Sequence, residues 1–243
     1  MAEQLTFALA PAPAPTFANF VAGPNAEVAQ ALVRFAAALT PETGVVIWGA
    51  PGAGKSHLLR AMAAAAEEAG RPVVHCATPV EVPDAPPPPR ALVAVDDIDA
   101  ADDAAQRRLF TLYNALRADG GQLAAAAEAP PARLPLREDL RTRLGWGLVY
   151  EVVPLSDEAK PAALAAFARQ RGFPLGDDAI AYLLAHGRRD MASLVRSLIA
   201  LDAHSLAHKR PVTVPLIRAW LQREMTLERR EDGSGEWGMG NGE

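Results

Sequence analysis

The residues best suited to chemistry lie in the stretch Gly49–Ser56, which reads GAPGAGKS. It fits the spacing G-x-x-x-x-G-K-[ST] of a phosphate-binding loop, with the strand-like run VVIW before it and a helical pattern after it. Glycines let backbone N–H groups turn towards phosphate oxygens, and the N-terminus of the following helix adds partial positive charge. Lys55 would contact the terminal phosphates and Ser56 would bind Mg²⁺, while His57 is interpreted as a packing or capping residue. We therefore expect a nucleotide site that includes Pro51, Gly52, Ala53, Gly54, Lys55, Ser56 and His57.

Acidic residues follow a second apolar run, ALVAV, in the sequence ALVAVDDID. Asp96 ends this run and is expected to hold Mg²⁺, mainly through water. Asp97 occupies the position at which many ATPases carry a glutamate that orients the attacking water. Because an aspartate is shorter, we expect slow turnover. Three further acids are interpreted as helix-start residues on a solvated face: Asp99, Asp102 and Asp103.

Phosphoryl transfer depends chiefly on positioning and charge, and an arginine from a neighbouring molecule can raise its rate roughly 10³–10⁵-fold. Two arginine-containing regions could supply such a group. One is REDLRTRLGWG, with Arg137, Arg141 and Arg143, and the other is GRRDMASLVRSL, with Arg188 and Arg189. A lone surface arginine is more often a solvated charge, and Arg143 could also pair with Glu138 or Asp139 on its own surface.

The elements that would position these residues alternate between strands and helices. Strands are predicted at 45–48, within PVVHCA, and at 91–95, 122–127 and 148–153, and helices at 56–69 and within DAAQRRLFTLYNALRADGG. The fourth strand, QLAAAA, is weak by propensity and is supported mainly by its place in the alternation. This order predicts an α/β fold with a parallel five-stranded sheet and helices on both faces.

No strand pattern follows residue 153, and the remaining helical segments predict a small all-helical lid. They are expected at about 156–171, 176–185, 189–208 and 214–224, with Ser156 as the first cap and Pro161 one turn inside. We therefore expect a flexible tail over 1–15, an α/β nucleotide-binding domain over 16–154, a helical domain over 155–226 and a disordered tail over 227–243.

Composition limits the function classes. The 243 residues are 50% hydrophobic with a net charge of −5, which argues against broad, sequence-independent DNA binding. The single cysteine, Cys76, excludes a disulfide framework and is interpreted as an inert core thiol, and the scattered histidines do not predict a metal site with it. The N-terminus lacks a secretion signal and no apolar run approaches the ~18–20 residues of a membrane span, so a cytoplasmic location without membrane partners is expected.

Together the motifs resemble AAA+ ATPases of the bacterial DnaA initiator family, over about residues 16–222. The sequence TFANFVAGPNAEVAQAL resembles the segment that helps to wall the adenine pocket in that family, which implies roles for Phe20 and Val21. LRTRLGWGL resembles the arginine-finger motif and points to Arg143 as a residue that acts in trans. RRDMASLVRSL resembles the second sensor motif and points to Arg189 as a nucleotide contact.

Three departures from DnaA itself shift the resemblance towards the related Hda family. An acidic, glycine-rich end replaces a basic helix-turn-helix domain, about 15 residues replace a long N-terminal domain, and TPVEVPDAPPPPR leaves little room for a helical insert. The Hda family carries a clamp-binding motif near its N-terminus, which QLTFAL resembles. The expected contacts to the sliding clamp are Gln4, Leu5, Phe7 and Leu9.

A fourth departure lies after QLAAAA, where the family has an acid and an arginine before two prolines. Here Glu128 takes the acid's place and Ala129 replaces the arginine, which weakens the first sensor. The resemblance implies a protein that binds ADP (or ATP) with Mg²⁺ and, with the DNA-loaded clamp, stimulates hydrolysis of ATP on DnaA. It implies no specific DNA binding of its own and at most a weak homodimer. The rival expectation is a helicase loader of the DnaC type, and a DNA-binding initiator remnant is disfavoured by the charge.

Overall fold

The structure is a computed structural model that describes residues 14–173, 175–188, 190–208 and 211–232. These residues divide into two compact units. One is Ala14–Ala159, and the other consists of the described residues of Lys160–Glu243. The division lies five residues beyond the domain end expected at residue 154.

The first unit is built on a five-stranded sheet with the strand order β2-β3-β4-β1-β5. Every described pairing in it is parallel. The prediction of a parallel α/β sheet is therefore confirmed, although β5 ends at Glu151 rather than at residue 153. The strands are β1 Gly44–Trp48, β2 Val73–Cys76, β3 Leu92–Val95, β4 Gln122–Ala127 and β5 Leu148–Glu151.

Helices cover both faces of this sheet, namely α1 Ala26–Ala36, α2 Lys55–Glu68, α3 Asp103–Ala118 and α4 Glu138–Gly145. Side chains of β4 alternate between the faces, as the period of a strand requires. Leu123 and Ala125 pack in the cluster that contains α3 and α4, whereas Ala124 and Ala126 pack with α1 and α2. The strand ends of β1, β3 and β4 therefore lie side by side between two buried layers.

The link between β2 and β3 is short, as its proline run predicts. It contains one 3₁₀ turn, Pro79–Glu81, and no α-helix in its described residues. Cys76, at the end of β2, is buried, and burial raises the pKa of its thiol with a further contribution from Glu81. Both features agree with a structural role for this segment.

The described residues of the second unit form the helices α5 Lys160–Gln170, α6 Asp177–His186, α7 Met191–His208 and α8 Val214–Asp232. The first of these begins later than predicted. The Ser156 hydroxyl accepts the Ala159 N–H at 3.3 Å within a turn, and Pro161 is the second residue of α5, where a missing N–H is harmless. α8 continues to Asp232, beyond the expected domain end at 226.

The interior of the second unit is mainly apolar, although Ser197, Asp202 and His204 of α7 are also buried. Leu164, Leu183, Leu194, Leu198 and Ile217 are buried, and each comes from one of the four helices. Among the described residues, no helix is long and apolar enough to cross a membrane.

Candidate functional site

The glycine loop joins β1 to α2. Gly52 and Gly54 have φ values of 78° and 103°, a left-handed region that glycine adopts without strain. Gly54 precedes the first turn of α2, so the N–H groups of Lys55 and Ser56 belong to the helical positions that lack intrahelical acceptors. Ala53 is buried, while Pro51 and Ser56 are exposed. The loop therefore presents unpaired donors beside an exposed hydroxyl.

Lys55 is the principal cation of this loop and is only 8% exposed. Its ammonium donates to the carbonyl oxygens of Gly49 at 2.7 Å and Ala50 at 3.2 Å. Both acceptors belong to the loop itself. The charge is thus held within the cradle by neutral oxygens, which a phosphate could replace.

Acidic residues stand at the end of β3, two strands from the loop. Asp96 is 6% exposed, and its carboxylate accepts the N–H of Asp97 at 3.1 Å. Asp97 is exposed and has a φ of 49°, so it lies in the left-handed region. Partial burial raises the pKa of Asp97, as do the charges of Asp96, Asp99 and Glu128, whereas Lys55 opposes them.

Asp99 lies in the first turn of the 3₁₀ helix Ile98–Ala100, in agreement with the prediction of a helix-start acid, and it also makes a contact across the sheet. Its carboxylate accepts the N–H of Glu128 at 3.3 Å, which ties the end of β3 to the residue after β4. Asp102 also acts as expected, because it caps α3 by accepting the Ala105 N–H at 2.7 Å. Asp99 thus connects the segments that follow β3 and β4, whereas Asp102 caps α3.

The segment before α1 packs against the loop. Phe20 lies so close to the loop that a Cβ at Gly54 would be 2.9 Å from its Cε2 atom. The Phe20 ring also lies 5.4 Å from that of His57. Val21, the next residue, is half-buried.

His57 links this segment to α2 through a hydrogen bond of 2.9 Å between its Nε2 atom and the Thr16 carbonyl. Burial lowers the pKa of His57 below 6.5, the Thr16 carbonyl opposes that shift, and the charge of Arg60 adds to it. The sequence expectation of a packing role agrees with this environment.

Asn25 anchors the other end of the segment and was missed by the sequence analysis. Its amide donates to the Val153 carbonyl and accepts the Val153 N–H, each at 2.8 Å. Asn25 is only 3% exposed. It therefore fixes the segment to the chain just beyond β5, although no local sequence signal marks its partner.

Arg143 lies on α4 and contacts aromatic rings rather than acids. Its guanidinium carbon is 4.3 Å from the ring centroid of Phe110 and 5.3 Å from that of Trp146. Its Nε atom is buried without a hydrogen-bond partner among the described residues. The pairing with Asp139 that was considered does not form, because Asp139 instead binds Arg137 at 2.9 Å.

Trp146 extends this arrangement at the end of α4. Trp146 is 56% exposed, and the guanidinium carbon of Arg117 lies 5.4 Å from the centroid of its ring. Phe110, Arg143, Trp146 and Arg117 thus follow one another as alternating rings and cations, which we call the arginine–aromatic stack. Arg141, two residues before Arg143, is half-buried and is not part of the stack.

Several expected site residues lie outside the described residues, namely Arg189, Gln4, Leu5, Phe7 and Leu9. Arg188, the neighbour of Arg189, lies 3.8 Å from Asp190. The described residues contain no group of histidines, cysteines and acids that could hold a metal ion by themselves.

Two family models match separate parts of the chain. The model of the bacterial DnaA ATPase domain matches residues 12–75, and the model "Hda, lid domain" matches residues 157–221. The first match contains the glycine loop, and the second covers most of the helical unit. The chain is a DnaA-related AAA+ protein.

Solved structures agree with this AAA+ fold. Domain III of the Thermotoga maritima initiator DnaA is 19% identical, with 87% of this chain and 98% of that chain covered and a TM-score of 0.64. AMPPCP-bound DnaA from Aquifex aeolicus is 18% identical, with 89% and 70% covered and a TM-score of 0.61. The Holliday junction branch migration motor RuvB from Thermotoga maritima is 16% identical, with 87% and 72% covered and a TM-score of 0.57.

In this DnaA-related AAA+ protein, the structure brings the glycine loop, Asp96 and Asp97 together and places Arg143 among a different set of residues. Sequence reasoning identified each of these residues but missed the contacts that surround Arg143. The sequence contained a partial signal for the stack. Phe110 and Arg117 lie two helical turns apart on α3, which places them on the same side of that helix.

Proposed function

We propose that this DnaA-related AAA+ protein is a negative regulator of replication initiation. With the sliding clamp loaded on DNA, it would stimulate hydrolysis of the ATP held by DnaA, a regulatory inactivation of the initiator. The observation that carries the proposal is Arg143, a half-buried cation that lies against Phe110 and Trp146 rather than being paired with a carboxylate. The match of the helical unit to the Hda lid favours this role over that of an initiator.

A bound nucleotide, ADP or ATP with Mg²⁺, fits the cradle. The left-handed glycines, the donors at the start of α2 and the Lys55 ammonium are the groups that polyphosphates require. Ser56 and Asp96 would hold Mg²⁺, while Phe20 and Val21 would line the adenine side and Arg189 would contact the phosphates. The nucleotide would mainly stabilise the fold, with ADP present in the working state.

The protein's own turnover would be slow. Asp97 is short, lies in a left-handed backbone conformation and is surrounded by Asp96, Asp99 and Glu128. Ala129 supplies no cation at the first sensor position. These features disfavour an orderly attack by water on a terminal phosphate while leaving the phosphate cradle intact.

Arg143 would act on the partner's nucleotide. A guanidinium remains charged at all relevant pH values and can contact two phosphate oxygens at once. In a site completed by a second molecule, it would stabilise the charge that develops during phosphoryl transfer. This protein would therefore activate a reaction whose substrate is bound elsewhere.

The clamp would bring the two proteins together. The peptide from Gln4 to Leu9 has an amide for anchoring, and Leu5, Phe7 and Leu9 for a hydrophobic groove. Because two tethered molecules meet at a high effective concentration, a weak contact between the AAA+ domains would be sufficient.

The decisive experiment compares wild-type protein with Arg143→Ala and Arg141→Ala in an assay of DnaA-bound ATP, with DNA-loaded clamp present. Arg143→Ala should keep ADP and clamp binding but lose most of the stimulation, by a factor on the order of 10³ if Arg143 supplies a full arginine finger. Arg141→Ala is the matched control and should retain most of it.

Two results would contradict the proposal in different ways. If only Arg141→Ala abolishes stimulation, the assignment of Arg143 is wrong. If neither variant has an effect, the trans-acting arginine is excluded. A protein that binds replicative helicase and ignores the clamp would instead support the rival helicase-loader function.

A further inference from the structure

The arginine–aromatic stack contains one member, Arg117, that the proposed function does not use. Arg117 lies in the last turn of α3, whereas Arg143 belongs to α4 and Trp146 is the C-cap residue that follows it. Its guanidinium carbon lies 5.4 Å from the Trp146 centroid, nearly the same as the 5.3 Å from Arg143 to that ring. Two cations therefore share one exposed indole.

Two positive groups beside one ring repel each other, and attraction of each to the ring can offset that repulsion. The electron-rich face of an indole attracts a guanidinium, and tryptophan is the strongest of the aromatic residues in this respect. Arg143 is also in contact with Phe110, at 4.3 Å. Arg143 therefore lies between the rings of Phe110 and Trp146. Arg117, on α3, contacts the exposed ring, that of Trp146.

The buried phenol of Tyr113 lies within the electrostatic influence of the same two arginines. Burial raises the pKa of Tyr113, while the charges of both Arg117 and Arg143 oppose that shift. The positive charges of both guanidinium groups thus act on the same buried phenol.

We propose that Arg117 and Trp146 are positioning residues for Arg143. Arg117 restricts the Trp146 ring, and the ring holds the Arg143 guanidinium against Phe110, so that Arg143 meets the partner's polyphosphate already oriented. The inference rests on the proposed function, in which Arg143 acts on that polyphosphate. Pre-orientation matters because catalysis by charge depends on groups that need no rearrangement during the reaction.

The buried Nε–H of Arg143 gives a direct measure of this arrangement, because ring currents shift its NMR resonance. In the full-length protein, that resonance should lie upfield, and Arg117→Ala should move it towards the position of a free arginine. Arg107→Ala is the matched control, since Arg107 is an exposed arginine on α3 outside the stack. It should leave the resonance unchanged.

The assay of DnaA-bound ATP provides the second measurement. Arg117→Ala should lower the maximal stimulation about 3- to 10-fold and leave the half-saturating concentration within about twofold, as expected when orientation rather than docking is lost. Arg117→Lys, which keeps a cation, should recover part of the effect. Trp146→Phe, which keeps a ring, should retain more stimulation than Trp146→Ala.

Arg143→Ala in the same series separates the proposed function of Arg143 from the positioning role of Arg117. If it keeps full stimulation, the proposed function itself fails. If it loses stimulation while Arg117→Ala matches wild type in both the NMR resonance and the maximal rate, only the positioning role is overturned. A raised half-saturating concentration at unchanged maximal rate would also overturn it, because Arg117 would then be a docking contact.

Discussion

The glycine loop and the arginine–aromatic stack each hold a positively charged side chain, but the groups that contact that side chain differ between the two regions. Lys55 is 8% exposed, and its ammonium donates to two carbonyl oxygens of its own loop. Arg143 rests on rings, its Nε atom lacks a hydrogen-bond partner among the described residues, and the neighbouring Trp146 is 56% exposed. One cation is held by carbonyl oxygens of its own loop, and the other is half-buried between aromatic rings beside an exposed tryptophan.

The difference in surroundings between Lys55 and Arg143 indicates which of the two sites would need a second molecule to be complete. Charged groups in a self-contained site are satisfied locally, because a buried polar atom without a partner is costly. A surface that combines exposed tryptophan with arginine has instead the composition of an interface hot spot. Under the proposed function, the comparison favours nucleotide retention by the loop and action on a partner by the stack.

Removing the cation of the loop should have the largest effect. Lys55→Ala should abolish measurable ADP binding by calorimetry and remove the stabilisation by ligand, which reaches about 2.7 kcal/mol at a concentration of 100 Kd. Arg60→Ala, which removes an exposed cation from the same helix, is the control and should bind ADP normally. Unchanged ADP affinity in Lys55→Ala would break the contrast between the two regions.

The clamp peptide should be separable from both regions. Replacing Gln4 and Leu5 with alanine should reduce clamp association at least about tenfold, because the amide anchor and one apolar contact are lost together. The double variant should bind ADP as wild type does. Co-elution of this variant with the clamp at wild-type levels would show that the N-terminal peptide does not carry the contact.

ATP hydrolysis by the protein alone should show a smaller effect, and it tests whether the glycine loop binds nucleotide without efficient catalysis. We expect hydrolysis of ATP well below about 1 s⁻¹, the lower end of typical kinase rates, because Asp97 is poorly suited to orient water. Asp97→Glu should raise the rate, and Asp103→Asn, on an exposed helix-start acid, should not. A rate of several per second in the wild-type protein would favour a helicase loader.

The smallest effect concerns His57 beside the loop. Its pKa is lowered in the folded state by burial, so the unfolded chain binds more protons below pH 6.5, and the free energy of unfolding should fall as the pH decreases from 7 towards 5. His57→Gln should show a smaller fall in urea titrations, because the remaining histidines titrate in both proteins. An identical pH dependence in the two proteins would exclude this contribution.

Contiguous motifs made the loop predictable, whereas the stack depended on tertiary contacts. The sequence GAPGAGKS specifies the positions of Lys55 and Ser56 because the strand, turn and helix follow one another directly. The stack joins Phe110 and Arg117 to residues on another helix, and local sequence does not reveal such proximity. Asn25 and Val153 illustrate the same limit, since their paired hydrogen bonds join residues 128 positions apart.

Element boundaries show a second limit of sequence reasoning. Ser156 has the chemistry of a helix cap, yet its hydroxyl stabilises a turn and α5 begins at Lys160, with Pro161 in its first turn. β4 was predictable only from the alternation of elements, because its alanines have little strand propensity. Its full burial between two helical layers accounts for its strand conformation despite that composition.

The central claim is tested most directly by the nucleotide on DnaA itself. DnaA loaded with radiolabelled ATP is incubated alone, with this protein, with DNA-loaded clamp, and with both, and the conversion of bound ATP to ADP is followed over time. Rapid conversion only in the presence of both is the predicted result. Equal conversion in all four mixtures would contradict the account.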